Sequence, residues 1–123
     1  MPYIAYKLMH FLGIFMLLVA VTATGVHVLR GGTRKDHAER RLLSATHGVA
    51  MVLILTGGFG MLARLGIVQG GLPGWVLVKL GLWLFFGASP WLAYRGAGFA
   101  RAVLVGLPLM GVLAAAIALY KPL

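Results

Sequence analysis

Apolar positions fall into four long runs separated by short polar or glycine-rich segments. The first covers residues 3–29 and is interrupted by Lys7, His10, Thr22, Thr24 and His27. About 20 apolar residues at ~1.5 Å per residue cross the hydrocarbon core of a bilayer, whereas a secretory signal has an apolar core of only about 7–15. The run therefore reads as a spanning helix. Residues 30–41, RGGTRKDHAERR, carry five of the eleven Lys and Arg residues and both acids, Asp36 and Glu39, which predicts a solvated turn. The second run, 42–65, has Ser44, Thr46 and His47 near its start and Gly57, Gly58 and Gly60 towards its end, where small residues allow close helix contact. Residues 66–73, GIVQGGLP, form an uncharged loop, and Pro73 suits the position just before a helix. The third run covers 74–94. Residues 95–101 turn the chain into a fourth run, 102–120, rich in Ala and Gly, with a kink expected at Pro108 and Lys121 ending it. These lengths predict an all-α, integral membrane four-helix bundle forming one domain over residues 1–123. Short connections make neighbouring helices antiparallel, so the expected topology is up-down-up-down.

Composition strengthens that expectation. With 61% hydrophobic residues and a mean hydropathy of +0.97, the chain has more apolar surface than a soluble domain of 123 residues buries, so a lipid bilayer is the partner it needs. The net charge of +9 sits between apolar runs instead of interleaving with aromatics, which speaks for membrane orientation and against nucleic acid. Antiparallel helices put Arg30, Arg34, Lys35, Arg40, Arg41, Arg95 and Arg101 on one side, against Lys7, Arg64, Lys79 and Lys121 on the other. The positive-inside rule then places both termini outside the cytoplasm, in a bacterial inner membrane. Trp75, Trp91 and Tyr94 flank the third run as interfacial aromatics, while Trp83, in mid-span, needs a packing partner. Without cysteine there is no disulfide or thiolate metal site, so any cofactor must be held by His, Lys, Met or Tyr. The methionines, Met1, Met9, Met16, Met51, Met61 and Met110, are expected to pack.

Candidate chemistry begins with Lys79, a charge inside the third apolar run. A lysine at mid-membrane costs about 2.5–3.5 kcal/mol on insertion scales, so such residues face a partner, a cavity or a ligand. The simpler alternative is an ammonium snorkelling back to the near interface. His10, near the start of the first helix, shares the depth of Lys79, near the start of the third. His27 and His47 define a second layer on the basic side. His10 and His27 are about 25 Å apart along one helix and cannot serve one iron. His37, in the charged linker, is expected to be plain solvated loop.

Neutral imidazole is a good axial ligand for haem iron, and a bundle offers a dry, flat slot for the macrocycle. Arg30, Arg34 and Arg41 lie at the level of the His27/His47 layer and Arg64 near the His10/Lys79 layer, where arginines would pair with propionates. The alternative is that each histidine bonds a backbone carbonyl or a Ser/Thr hydroxyl of a neighbouring helix.

The pairing of KLMHFLG at residues 7–13 with GWVLVKLGLW at residues 74–83 resembles the HemJ-type protoporphyrinogen oxidase family and the wider CopD/SirB-like four-helix membrane group. The resemblance covers these two motifs and the helix count; residues 17–30, LLVAVTATGVHVLR, stand where such enzymes carry an aromatic-rich run. It implies an oxidoreductase binding haem b, with His10 as iron ligand and Lys79 beside the tetrapyrrole as propionate partner or proton acceptor. The resemblance carries over only His10 and Lys79, the expected catalytic pair; taken with the two polar layers, metal ligation is expected at His10 and His47, and cofactor binding at His10, His47, His27, Arg30 and Arg64. Two other classes fit the residues: a b-type haem electron-transfer subunit using His27 and His47, and a cofactor-free accessory subunit of a larger membrane complex or homo-oligomer.

Overall fold

The computed structural model describes residues 2–66 and 71–120. Met1, Lys121 and residues 67–70 of the expected loop at 66–73 lie outside the described residues. Four helices account for the architecture: α1 (Tyr3–Leu29), α2 (Arg40–Arg64), α3 (Gly74–Tyr94) and α4 (Ala97–Tyr120). No strand occurs among the described residues. Each helix is long and apolar enough to cross a membrane, the signature of a membrane protein.

Helix ends follow local backbone chemistry. α1 stops where Gly31 takes φ +89° and the amides of Gly31 and Gly32 bond back to the carbonyls of Val28 and His27, satisfying last-turn acceptors. Pro73, extended at φ −65° and ψ 157°, precedes α3, and its carbonyl accepts from Val76 and Leu77. Three boundaries, in two helices, differ from expectation: the start and the end of α2, expected at 42 and 65, and the start of α4. α2 starts at Arg40, not 42, and ends at Arg64. α4 starts at Ala97, not 102, so the turn expected over 95–101 shrinks to Arg95 and Gly96. Gly96 takes φ +152°, a conformation that side chains rarely adopt, and its carbonyl accepts the amide of Ala100 at once. Arginine is a good helix former, and Arg101 sits exposed within the first turns.

α1 is the central helix. It packs most extensively on α2 and also touches α3 and α4; α3 packs on α4, whereas α2 and α3, though consecutive, meet at only a few positions. Along the α1/α2 contact, Gly13 lies against Ala50 and Ile54, Gly57 against His10, and Gly60 against the Tyr6 ring, so numbers rise on one helix as they fall on the other. A Cβ on Gly57 would lie 2.7 Å from the His10 amide nitrogen and the Tyr6 carbonyl oxygen, so only glycine permits this approach. The core joins Leu17 and Val21 of α1, Ala50 and Met51 of α2, and Val103 and Leu107 of α4, with Trp83 and Phe86 of α3 packed on it. A smaller cluster of Val28, Ala93 and Ala100 brings together the end of α1, the end of α3 and the start of α4.

Candidate functional site

A cleft of about 310 Å³ opens where α2 and α3 part. Its walls include Leu55, Gly58 and Phe59 of α2 and Trp75, Lys79 and Trp83 of α3; His10 and Tyr3 of α1 close its back and Ala118 and Leu119 of α4 its end. His10 and Lys79, expected only to share a depth, thus line one cavity. The size lies at the lower end of the range of about 300–1,000 Å³ usual for ligand pockets, and the lining is apolar apart from a few polar groups.

Contacts between helices place His10 and Trp83 in the cleft. His10 comes close to α2 because Gly57 has no side chain, and a Cβ on Gly58 would stand 3.6 Å from the ring's Cε1, an ordinary contact. Its Nδ1 lies 2.8 Å from the Ile54 carbonyl oxygen. A carbonyl only accepts, so Nδ1 carries the proton and the neutral ring keeps its lone pair on Nε2. Trp83 donates its indole N–H to the Met51 carbonyl at 3.0 Å, which supplies the partner that a mid-span tryptophan needs. Lys79 is partly exposed to the cleft; among the described residues, no hydrogen bond or ion pair engages its ammonium. Arg64 ends α2, exposed, and is not among the residues lining the cleft.

The basic-side histidines are held differently. His47 lies 3.0 Å through Nε2 from the Phe86 carbonyl, which also accepts the Ser89 hydroxyl at 2.7 Å. Pro90 is the cause. It stands inside α3 with no N–H to give the carbonyl four residues back, which is that of Phe86, and His47 and Ser89 replace the missing donor. The signal was in the sequence as a proline in mid-run, and only the fold shows which histidine answers it.

His27 turns to the linker, not to His47. Its Nε2 donates to the Thr33 carbonyl at 2.8 Å and to Asp36 Oδ1 at 2.9 Å. The Thr33 amide donates to the same carboxylate at 2.6 Å and holds Asp36 below the usual carboxylate range, with His27 adding to the effect. His37 corrects the expectation of a solvated loop. It is buried, its ring stacks on His27 at 3.8 Å with planes 7° apart, and a hydrogen bond of 2.7 Å joins its Nδ1 to the Tyr94 hydroxyl. Desolvation, then the neighbouring His27, push the His37 pKa down, with Glu39 and Asp36 opposing. Nothing in the spacing of residues 27, 37 and 94 announces this contact. Arg30 lines the shallow hollow beside His27 and His37. No family model, no characterised protein and no solved structure matches the chain.

The donor set of the cleft, one imidazole Nε2 and one ammonium among apolar walls, is of a kind that would hold a haem through His10. His10 has its tautomer set by a backbone carbonyl, as metal-bound imidazoles commonly do, which leaves Nε2 as the donor. His27 and His47 have each committed Nε2 to protein acceptors. Among the described residues no group of three or more His, Asp or Glu forms a metal cluster.

Proposed function

We propose that this chain is an integral membrane protein of a bacterial inner membrane, an up-down-up-down bundle with non-cytoplasmic termini, whose α2/α3 cleft binds a tetrapyrrole, haem b above all. The observation that carries the reading is the meeting of His10 and Lys79 in one apolar cavity flanked by Trp75 and Trp83. His10 Nε2 would hold the iron, and the two indoles would flank the macrocycle. Lys79 would meet a propionate, giving an otherwise unpaired cation its counter-charge. Haem, when bound, supplies one-electron chemistry at its iron; the protein's part is to fix the imidazole through Ile54, exclude water with aromatic walls and hold a charge at Nζ. The oxidation of protoporphyrinogen is what the resemblance of the two motifs adds.

The electron-transfer reading on His27 and His47 has less support, because Nε2 of each bonds protein oxygen. An accessory role in a larger assembly is favoured by Gly98, Gly106 and Gly111 of α4, where an added Cβ would meet open space. Purified protein, oxidised and then reduced with dithionite, should show a Soret band that shifts on reduction. Absence of the band after supply of haemin removes the tetrapyrrole reading.

A further inference from the structure

The cleft lies where consecutive helices fail to close. Short connections bring neighbours together, and α1/α2 and α3/α4 follow that rule, but α2 and α3 touch at only a few positions and leave a side opening between them. In a bundle crossing a bilayer, such an opening faces acyl chains, not water. Leu55 and Phe59 on one bank and Trp75 and Leu80 on the other make its walls apolar. Behind them stands the Lys79 ammonium, with no hydrogen-bond or ion-pair partner among the described residues, next to an imidazole whose proton is committed to Ile54.

We infer that the cleft takes its ligand sideways out of the bilayer, between α2 and α3, and that the ligand is an apolar carboxylic acid whose carboxylate pairs with Lys79. The inference rests on the cleft being a ligand site, as the tetrapyrrole reading also requires, and it extends that reading to the route of entry and the group recognised. An anion that reaches Lys79 through lipid must carry a large apolar body. A carboxylate that loses water in the cleft regains a cation there, so charge is matched where it is most costly to leave alone. A neutral ester of the same body lacks that gain and partitions into the bilayer without preference for the cleft. Free carboxylates in water, such as acetate, lack the body and do not reach the site.

The test uses full-length protein in phosphatidylcholine vesicles, with Trp91→Phe removing the exposed tryptophan so that emission comes from Trp75 and Trp83. Dibromostearic acid should quench this emission saturably, while its methyl ester gives only quenching proportional to its amount in the lipid. Lys79→Gln should weaken the saturable phase roughly tenfold or more, and Lys79→Arg should restore it, which separates lost charge from lost folding. Equal, unsaturable quenching by acid and ester, or a saturable phase untouched in Lys79→Gln, overturns the inference. Saturable acid binding without a Soret band on adding haemin keeps this inference and removes the tetrapyrrole. A Soret band with only unsaturable acid quenching keeps the tetrapyrrole and removes sideways capture of acids.

Discussion

At the scale of single residues, glycine and histidine divide the work. Gly57 and Gly58 are adjacent, yet a side chain at each meets something different. At Gly57 the new Cβ strikes backbone atoms of His10 and Tyr6, which cannot move without separating the helices, whereas at Gly58 it makes an ordinary contact with the His10 ring. Gly57→Ala should therefore destabilise the protein by about 1–3 kcal/mol, and Gly58→Ala should be neutral or slightly stabilising because alanine is the better helix former. Equilibrium unfolding of both variants in mixed detergent checks the contrast. His10→Ala should abolish the Soret absorbance while His27→Ala leaves most of it, at similar expression; the reverse pattern would hand the cofactor to the basic side. His37 makes a separate prediction. Its folded pKa lies below the ordinary value of about 6.5, so the unfolded linker binds the proton more readily than the folded one. The packing of His37 on His27 and Tyr94 is then fully favoured above that value and weakens as pH falls through it. Protection factors of the amides in residues 33–38, taken against the intrinsic exchange rate at each pH, should fall below about pH 6.5, and in His37→Phe this pH dependence should flatten.

At the scale of elements, α3 is shaped by its proline. Pro90 withdraws a donor from the Phe86 carbonyl, and His47 reaches across from α2 to answer it. With the Trp83 bond to Met51, this contact ties two helices that otherwise hardly touch. Side-chain hydrogen bonds between membrane helices contribute about 0.6 kcal/mol on average and up to about 1.7. His47→Leu should cost about 1 kcal/mol in the natural chain and clearly less in Pro90→Ala, where the backbone amide gained at position 90 would serve the carbonyl. A double-mutant cycle on unfolding measures this coupling, and equal costs in both backgrounds would show that His47 acts otherwise.

Across the whole molecule, the distribution of charge predicts an orientation. Arg30, Arg34, Lys35, Arg40, Arg41, Arg95 and Arg101 are all exposed, and the Arg95 guanidinium lies over the rings of Trp91 at 5.0 Å and Phe99 at 5.4 Å, an arrangement suited to a membrane boundary. At the other end of α1, the Lys7 ammonium lies 5.9 Å from the ring centres of both Tyr3 and Phe11. The natural chain has no cysteine, so Thr33→Cys provides a single label site. A membrane-impermeant thiol reagent should reach it from the cytoplasmic side of inverted vesicles and not from outside whole cells. Labelling from outside would reverse the orientation without altering the bundle.

Four helices, and the lengths of α1 and α3 to the residue, were legible in the sequence because runs of apolar residues long enough to cross lipid leave few alternatives for a backbone that must satisfy its own hydrogen bonds. The shared depth of His10 and Lys79 was legible for the same reason, since depth is set by position along a helix. The start of α4 was not, because Arg101 reads as a loop residue although arginine is an ordinary helix former that sits well at a boundary. Facing was not legible either. Whether His10 met Lys79 in a cavity, whether His47 served a cofactor or the carbonyl freed by Pro90, and whether His37 lay in water or against His27 and Tyr94 depended on how each helix is rotated about its axis. That rotation is decided by contacts distant in sequence, above all the approach of α1 to α2 at Gly13 and Gly57, which hydropathy does not encode.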